Sequence, residues 1–161
     1  TPEQDPERAR IENEVNQLIH ERESIMIEEA RKRVDRNPTD LTLRCELGEH
    51  LVRDGRFTEA IPELQKARNN PNSRIRACNL LGQCYEAKGM FDMAVAQYRE
   101  VAEELTVMDN IKKDVLYRLG LLYERMNRRE DYLECLKQIY TVDYEYRDVA
   151  RRVETSYSDP A

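Results

Sequence analysis

LLGQCYEAKGMFDMAVAQY, residues 80–98, recurs in degraded form, and in register, on both sides of itself. The recurrence is clearest at the small residues, where two helices must approach closely. Gly48, Gly82 and Gly120 each follow a leucine: Leu47, Leu81 and Leu119. Three residues further on stand Leu51, Tyr85 and Tyr123, one turn along the same helical face. Gly55, Gly89 and Asn127 come next in the three copies, and residues of these types tolerate positive φ and end a helix. Ala60 and Ala94 follow, then Leu64, Tyr98 and Leu136, on a second helix that faces back on the first. Gly48 and Gly82 are 34 residues apart, and Gly82 and Gly120 are 38 apart. The pattern predicts an array of helical hairpins.

These residues at this spacing resemble the tetratricopeptide repeat, a helix-turn-helix of about 34 residues with a W-x2-L-G-x2-Y…A-x3-F…P pattern. The resemblance covers three segments, 41–74, 75–108 and 113–146, together about two thirds of the chain. No copy carries the family's tryptophan, and Tyr132 stands where the family has alanine. A residue of that size is expected to splay the third hairpin or to be accommodated by the next helix. The fold that the resemblance implies is all-α: a right-handed superhelical solenoid of three hairpins. A helical extension over 1–40 and a capping helix with a frayed tail over 147–161 complete the expected domain organisation.

The flanks are read from their own residues. Thr1–Asp5 forms a loosely ordered lead, Asp5 can cap a helix, and Pro6 suits its first turn. From there to Asp35 nothing breaks a helix, and Ile11, Val15, Leu18, Ile25 and Val34 form an apolar stripe interrupted by Arg22. The stripe is expected to pack on the first repeat. The alternative is a narrow seam through which residues 11–27 pair two chains, so the chain is read as a monomer or a homodimer. Pro38 lies where the resembled family closes a second helix, which predicts a bend or a degenerate hairpin broken near His20–Ser24. At the other end Tyr146, Ala150, Val153 and Tyr157 share one face of a short amphipathic helix, as a solenoid end requires. The extra residues around Thr106–Asn110 should lengthen a helix or a loop before the third repeat.

Composition narrows the function. A net charge of -6 argues against a nucleic-acid surface, which needs clustered Lys and Arg. Arg31–Arg33 is flanked by Glu28, Glu29 and Asp35 and reads as a solvated face. Cys45, Cys78, Cys84 and Cys135 lack the paired spacing of a zinc site and read as buried thiols, which favours a reducing compartment. The expected location is therefore cytoplasmic. No apolar run reaches the roughly 20 residues of a membrane span. The chain begins at Thr1 rather than Met, which leaves a signal or anchor upstream open.

No catalytic, cofactor or metal constellation is legible. His20 and His50 lack a partner at useful spacing, and the glycines end helices rather than form a phosphate loop. The resemblance implies instead that the first helix of each repeat lines a concave wall. Carried over, its positions include Glu49 and Arg53; Arg76, Asn79, Gln83 and Glu86; and Asp114, Tyr117, Leu121 and Arg125. The full set adds Thr42, Cys45, Val52, Ala87 and Glu124, and has four acids against three bases, so it is nearly neutral. The Lys/Asn/Arg cluster with which some family members grip an acidic chaperone tail is missing, since Cys45, Glu49, Leu80 and Asp114 stand there and only Arg118 fits. The expected function is a non-enzymatic adaptor holding a protein or peptide of mixed or partly apolar character. The alternatives are a self-associating structural component or an accessory of bacterial tubulin-like filaments, since the architecture resembles bacterial kinesin-light-chain-like repeat proteins. Tyr140, Tyr144, Tyr146 and Tyr157 exceed what a cap requires, and point to either a C-terminal contact surface or packing of the last helix.

Overall fold

Each hairpin turns at a residue in the left-handed region, Gly55 and Gly89 at φ 73° and Asn127 at φ 60°. The amide that follows it donates to a carbonyl five residues back: Arg56 to Leu51 at 2.8 Å, Met90 to Tyr85 at 2.8 Å and Arg128 to Tyr123 at 2.9 Å. This is the helix-ending geometry in which a left-handed residue satisfies the last orphan carbonyls. Asparagine pays the smallest steric penalty there after glycine, so the third copy keeps the turn without a glycine.

The computed structural model describes residues 5–158; the expected loose lead before Asp5 and the last three residues lie outside the described residues. Among the described residues there are eight helices and no strand: α1 (Pro6–Arg36), α2 (Leu41–Arg53), α3 (Phe57–Ala67), α4 (Arg74–Ala87), α5 (Phe91–Glu104), α6 (Asn110–Arg125), α7 (Arg129–Tyr140) and α8 (Val149–Ser158). Their contacts fall into two units, Thr1–Leu80 and Leu81–Ala161, so that α4 is shared.

In the first unit α2 and α3 form a hairpin around Leu47, Leu51, Ala60 and Leu64, all buried. A methyl group on Gly48 would overlap the Leu64 side chain, so the small residue sets how closely the helices meet. Asp40 caps α2 by accepting from Thr42 N at 2.9 Å. α1 lies on α2 through Glu23, Ile27, Ala30 and Val34. Both histidines of the chain work at this contact: His50 Nδ1 is 3.0 Å from Glu23 Oε2, and His20 Nδ1 is 2.5 Å from Asp54 Oδ1. Arg33 reaches Glu46 at 2.9 Å and Arg31 reaches Glu59 at 2.7 Å. Two of the three residues read as a solvated basic run therefore tie α1 to the hairpin.

Two expectations for α1 are corrected. The helix runs through His20–Ser24 unbroken, because that stretch holds no proline or glycine and Pro38 acts only beyond the helix end at Arg36. The packing face is also displaced. Val34 packs, but Ile11 (54% exposed), Leu18 (64%) and Ile25 (63%) face solvent.

In the second unit the Tyr98 ring covers Gly82, where an added methyl group would overlap it, and Tyr98 is fully buried. Its hydroxyl donates to Glu86 Oε2 at 2.9 Å. The extra residues before the third hairpin lengthen the helices and not the loop: α5 has 14 residues against 11 in α3, and residues 105–109 then join it to α6; Asp109 caps α6 at Lys112 N, and Lys112 Nζ donates to Leu105 O at 2.6 Å. Gly120 is less tightly covered, since a Cβ there would lie 3.3 Å from Cys135 Cβ. Tyr132 is accommodated by the next helix: it is 6% exposed, and its hydroxyl accepts from Arg152 of α8 at 3.2 Å. α8 buries Val149 and Val153, whereas Tyr157 is 74% exposed, which corrects the face expected for it.

Asp148 fastens α8 to the unit. Its carboxylate accepts from Tyr117 at 2.6 Å and from Arg152 Nε at 2.8 Å. Burial opposes its ionisation, but these hydrogen bonds and the Arg152 charge outweigh burial and lower its pKa to about 2. A folded value below the ordinary 3.8 means stability that is present above that pH and lost as the pH falls towards about 2. Melting of the wild type should therefore weaken over that interval, and Asp148→Asn should be less stable at neutral pH with a flatter acid dependence. Parallel acid profiles in thermal melts would contradict the assignment.

The glycines give a second test. Gly82→Ala forces the buried Tyr98 ring aside and should cost about 1 to 3 kcal/mol as overpacking. Gly120→Ala meets an ordinary-to-tight contact and gains about 1 kcal/mol of helix propensity, so it should melt near wild type. Equal losses in both, measured by denaturant or heat, would refute the packing order.

Candidate partner-binding wall

The wall residues are presented by α2, α4 and α6, whose buried faces are fixed by the leucines and small residues described above. In the first unit Glu49 stands on α2 between two arginines: Arg53 Nη2 donates to it at 3.3 Å, and Arg76 of α4 forms a close ion pair with its other oxygen. Both guanidinium groups are about half exposed. Cys45 is buried beneath them, and burial raises its pKa, offset in part by the Arg76 charge. Thr42 Oγ1 accepts from Asn70 at 3.3 Å. Asn79 is half buried, and its side-chain oxygen is shielded from solvent without accepting a hydrogen bond.

In the second unit the same positions are more heavily engaged. Glu86 accepts from Tyr98 and from Arg125 Nη1 at 3.3 Å, and the Arg125 guanidinium lies over the Phe91 ring at 4.6 Å. Asp114 accepts from Arg118 at 3.0 Å and from Arg147 at 3.1 Å. Tyr117 is 8% exposed: Arg147 lies over its ring at 4.8 Å, Tyr146 meets it edge-on at 6.1 Å, and its hydroxyl is given to Asp148. Gln83 and Leu121 are half buried. Of the ten residues expected to meet a partner, the structure holds Tyr117 away from solvent.

Sequence reasoning placed Arg118 on this wall only as the one match to a chaperone-tail cluster, and missed Arg147 and Asp148 as components of this face. Arg118 was legible as the i+4 partner of Asp114, but Arg147 and Asp148 reach the wall from the turn after α7, which no helical period reveals. Arg147 takes φ 45° to do so, an uncommon conformation for a side chain of its size. The wall's charges thus close on one another within each unit. Apart from the wall, α5, α6 and α7 enclose a cleft floored by Leu116, Leu119, Tyr123 and Cys135 and rimmed by Arg99 and Arg128. Burial pushes the thiols of Cys84 and Cys135 up to about 11 and about 12, which keeps both protonated at neutral pH.

Sequence comparison agrees with this geometry. Models of the tetratricopeptide repeat match residues 75–104 and 114–141, the α4–α5 and α6–α7 hairpins. No curated protein sequence matches the chain. Among solved structures, MamA is similar with a TM-score of 0.71 and 19% identity, over 82% of this chain and 75% of that one. The Podosopora anserina putative kinesin light chain with nearly identical TPR-like repeats gives 0.69 and 17%, over 97% and 88%. BtubC (BKLC) from P. vanneervenii gives 0.56 and 18%, over 89% and 66%. Identities this low speak for the fold. With α2–α3 repeating the glycine contact and the turn of the two matched hairpins, the chain carries tetratricopeptide repeats.

Proposed function

We propose that the chain is a non-enzymatic scaffold that holds a protein or peptide segment against the polar face of its repeat helices, centred in the first unit on Glu49, Arg53, Arg76 and Asn79. The observation that carries this reading is Asn79. An amide oxygen that is shielded from water and accepts no hydrogen bond costs about 1 to 3 kcal/mol. A backbone N–H of a bound segment would recover that cost once the side chain turns towards it. Arg53 and Arg76 already neutralise Glu49, so the face favours a segment of low net charge, held by hydrogen bonds and by the arginine stems. A pre-folded helical face also binds without ordering its own backbone. Gln83, Glu86, Leu121 and Arg125 offer the second unit a comparable face, with Tyr117 and Asp114 supporting it from below. The four buried cysteine thiols support a reducing, cytoplasmic setting.

Arg76→Glu combined with Asn79→Ala tests the reading. The variant should remain folded, with a cooperative melting transition, and lose the partner that the wild type captures from a lysate of its source. Retention of the same partner by the folded variant would move binding off this face. A second reading, an accessory of bacterial tubulin-like filaments, draws on the similarity to kinesin-light-chain-type arrays. It expects the chain to sediment with polymerised tubulin-like protein and to stay in the supernatant without it; no difference between the two would end it.

A further inference from the structure

α1 carries two apolar faces, and the structure uses only one. Ile27, Ala30 and Val34 pack on α2, with Glu23 held by His50. The other face holds Ile11, Val15, Leu18, Ile19, Ile25 and Met26, each 40% exposed or more. At 3.6 residues per turn these six fall within a sector of about 120°, centred about a third of a turn from the packed face. Ile11, Val15, Leu18 and Ile25 keep the three- and four-residue steps of a coiled-coil seam when Arg22 is counted between the last two.

The charges around the seam decide what can cover it. Glu14, Glu21 and Glu28 repeat every seven residues along one edge, and Arg22 stands in the middle of the stripe. Among the described residues Glu14 and Glu28 hold local partners, Arg10 at 3.1 Å and Lys32 at 3.5 Å, both largely exposed, while Gln17 is the partner of Glu21. A second copy fits badly in either direction. Antiparallel pairing sets one glutamate edge against the other, and parallel pairing sets Arg22 against Arg22 in the seam and faces the glutamates with Ile19 and Met26.

We propose that the outward apolar face of α1, from Ile11 to Met26, is a docking surface for an amphipathic helix of another protein, one with a basic edge that meets Glu14, Glu21 and Glu28. This surface is independent of the repeat wall. Opposite charges along the flanks fix partner and orientation, and the apolar seam supplies the affinity.

The test uses the full chain and a synthetic helix of about three heptads with leucine along its seam and lysine on its flanks, beside a copy with glutamate flanks. The lysine helix should bind, measured by fluorescence anisotropy, and weaken as salt rises; the glutamate helix should bind at least about tenfold more weakly. Leu18→Asp should abolish binding while leaving the chain folded with at most a small change in melting temperature, since Leu18 is 64% exposed. That variant adds negative charge, so an unspecific attraction between the acidic chain and a basic peptide would survive it and overturn the proposal. Equal binding of both helices, or failure of the lysine helix to bind, would also overturn it. So would a concentration-dependent dimer of the chain alone, seen in sedimentation and lost in Leu18→Asp, which would assign the seam to a second copy.

Discussion

The structure depends on how closely two helices approach inside each hairpin. At Gly48 and Gly82 there is no room for a side chain, because Leu64 and the Tyr98 ring occupy the space where one would begin. Close approach brings the apolar faces of the two helices together and excludes water from them, Leu47, Leu51, Ala60 and Leu64 in the first hairpin and Leu81, Tyr85, Ala94 and Tyr98 in the second. It also fixes where the polar faces end up. Tyr98 fills the gap over Gly82 and also places its hydroxyl on Glu86. The third hairpin relaxes this constraint at one point, with Tyr132 in place of alanine, and the added bulk is taken up by Arg152 of α8.

That displacement links packing to charge. Arg152 joins Tyr132, Asp148 and Glu124, Asp148 joins Tyr117, and Arg147 joins Asp114. A tyrosine too large for its hairpin position thus becomes an attachment point for the helix that caps the unit. These groups are partly exposed, so each ion pair alone contributes little. Their value lies in geometry: the turn after α7 is held with Arg147 at positive φ by two rings and a carboxylate at once.

The hairpins were legible because their signals are local and repeated. Leu-Gly, the aromatic one turn later and the left-handed turn residue each state a backbone requirement that only a few residue types satisfy, and three copies in register confirm one another. α1 was legible as a helix but not in its packing. Its sequence contains two apolar faces about a third of a turn apart, and periodicity alone favoured the longer one, Ile11, Val15, Leu18 and Ile25. The shorter face won because Glu23 and His20 find partners in His50 and Asp54 across the helix pair, a match between distant residues that no window of sequence displays. Tyr157 and Tyr117 were misplaced for the same reason: which side of a short helix is covered depends on what arrives from elsewhere in the chain. The wall's electrostatics were half legible. Counting its acids and bases gave near-neutrality, but only coordinates show that neutrality arises from pairing within each unit.

The two faces of α1 explain each other physically. An isolated helix shorter than about 12 to 15 residues is marginal in water. The segment before Glu23 makes few tertiary contacts, so its helicity draws on continuity with the packed half and on local i,i+4 pairs, Arg8 with Glu12 and Arg10 with Glu14. Had the whole helix packed on α2, the seam would be core. Had none of it packed, the seam would fray. The packed half instead acts as a nucleus that carries an apolar face into solvent already in helical form, so a partner helix need not induce it. His20 marks where one regime gives way to the other: it bonds to Asp54 of the first hairpin, whereas Ile11, Val15 and Leu18 before it are each about half exposed or more.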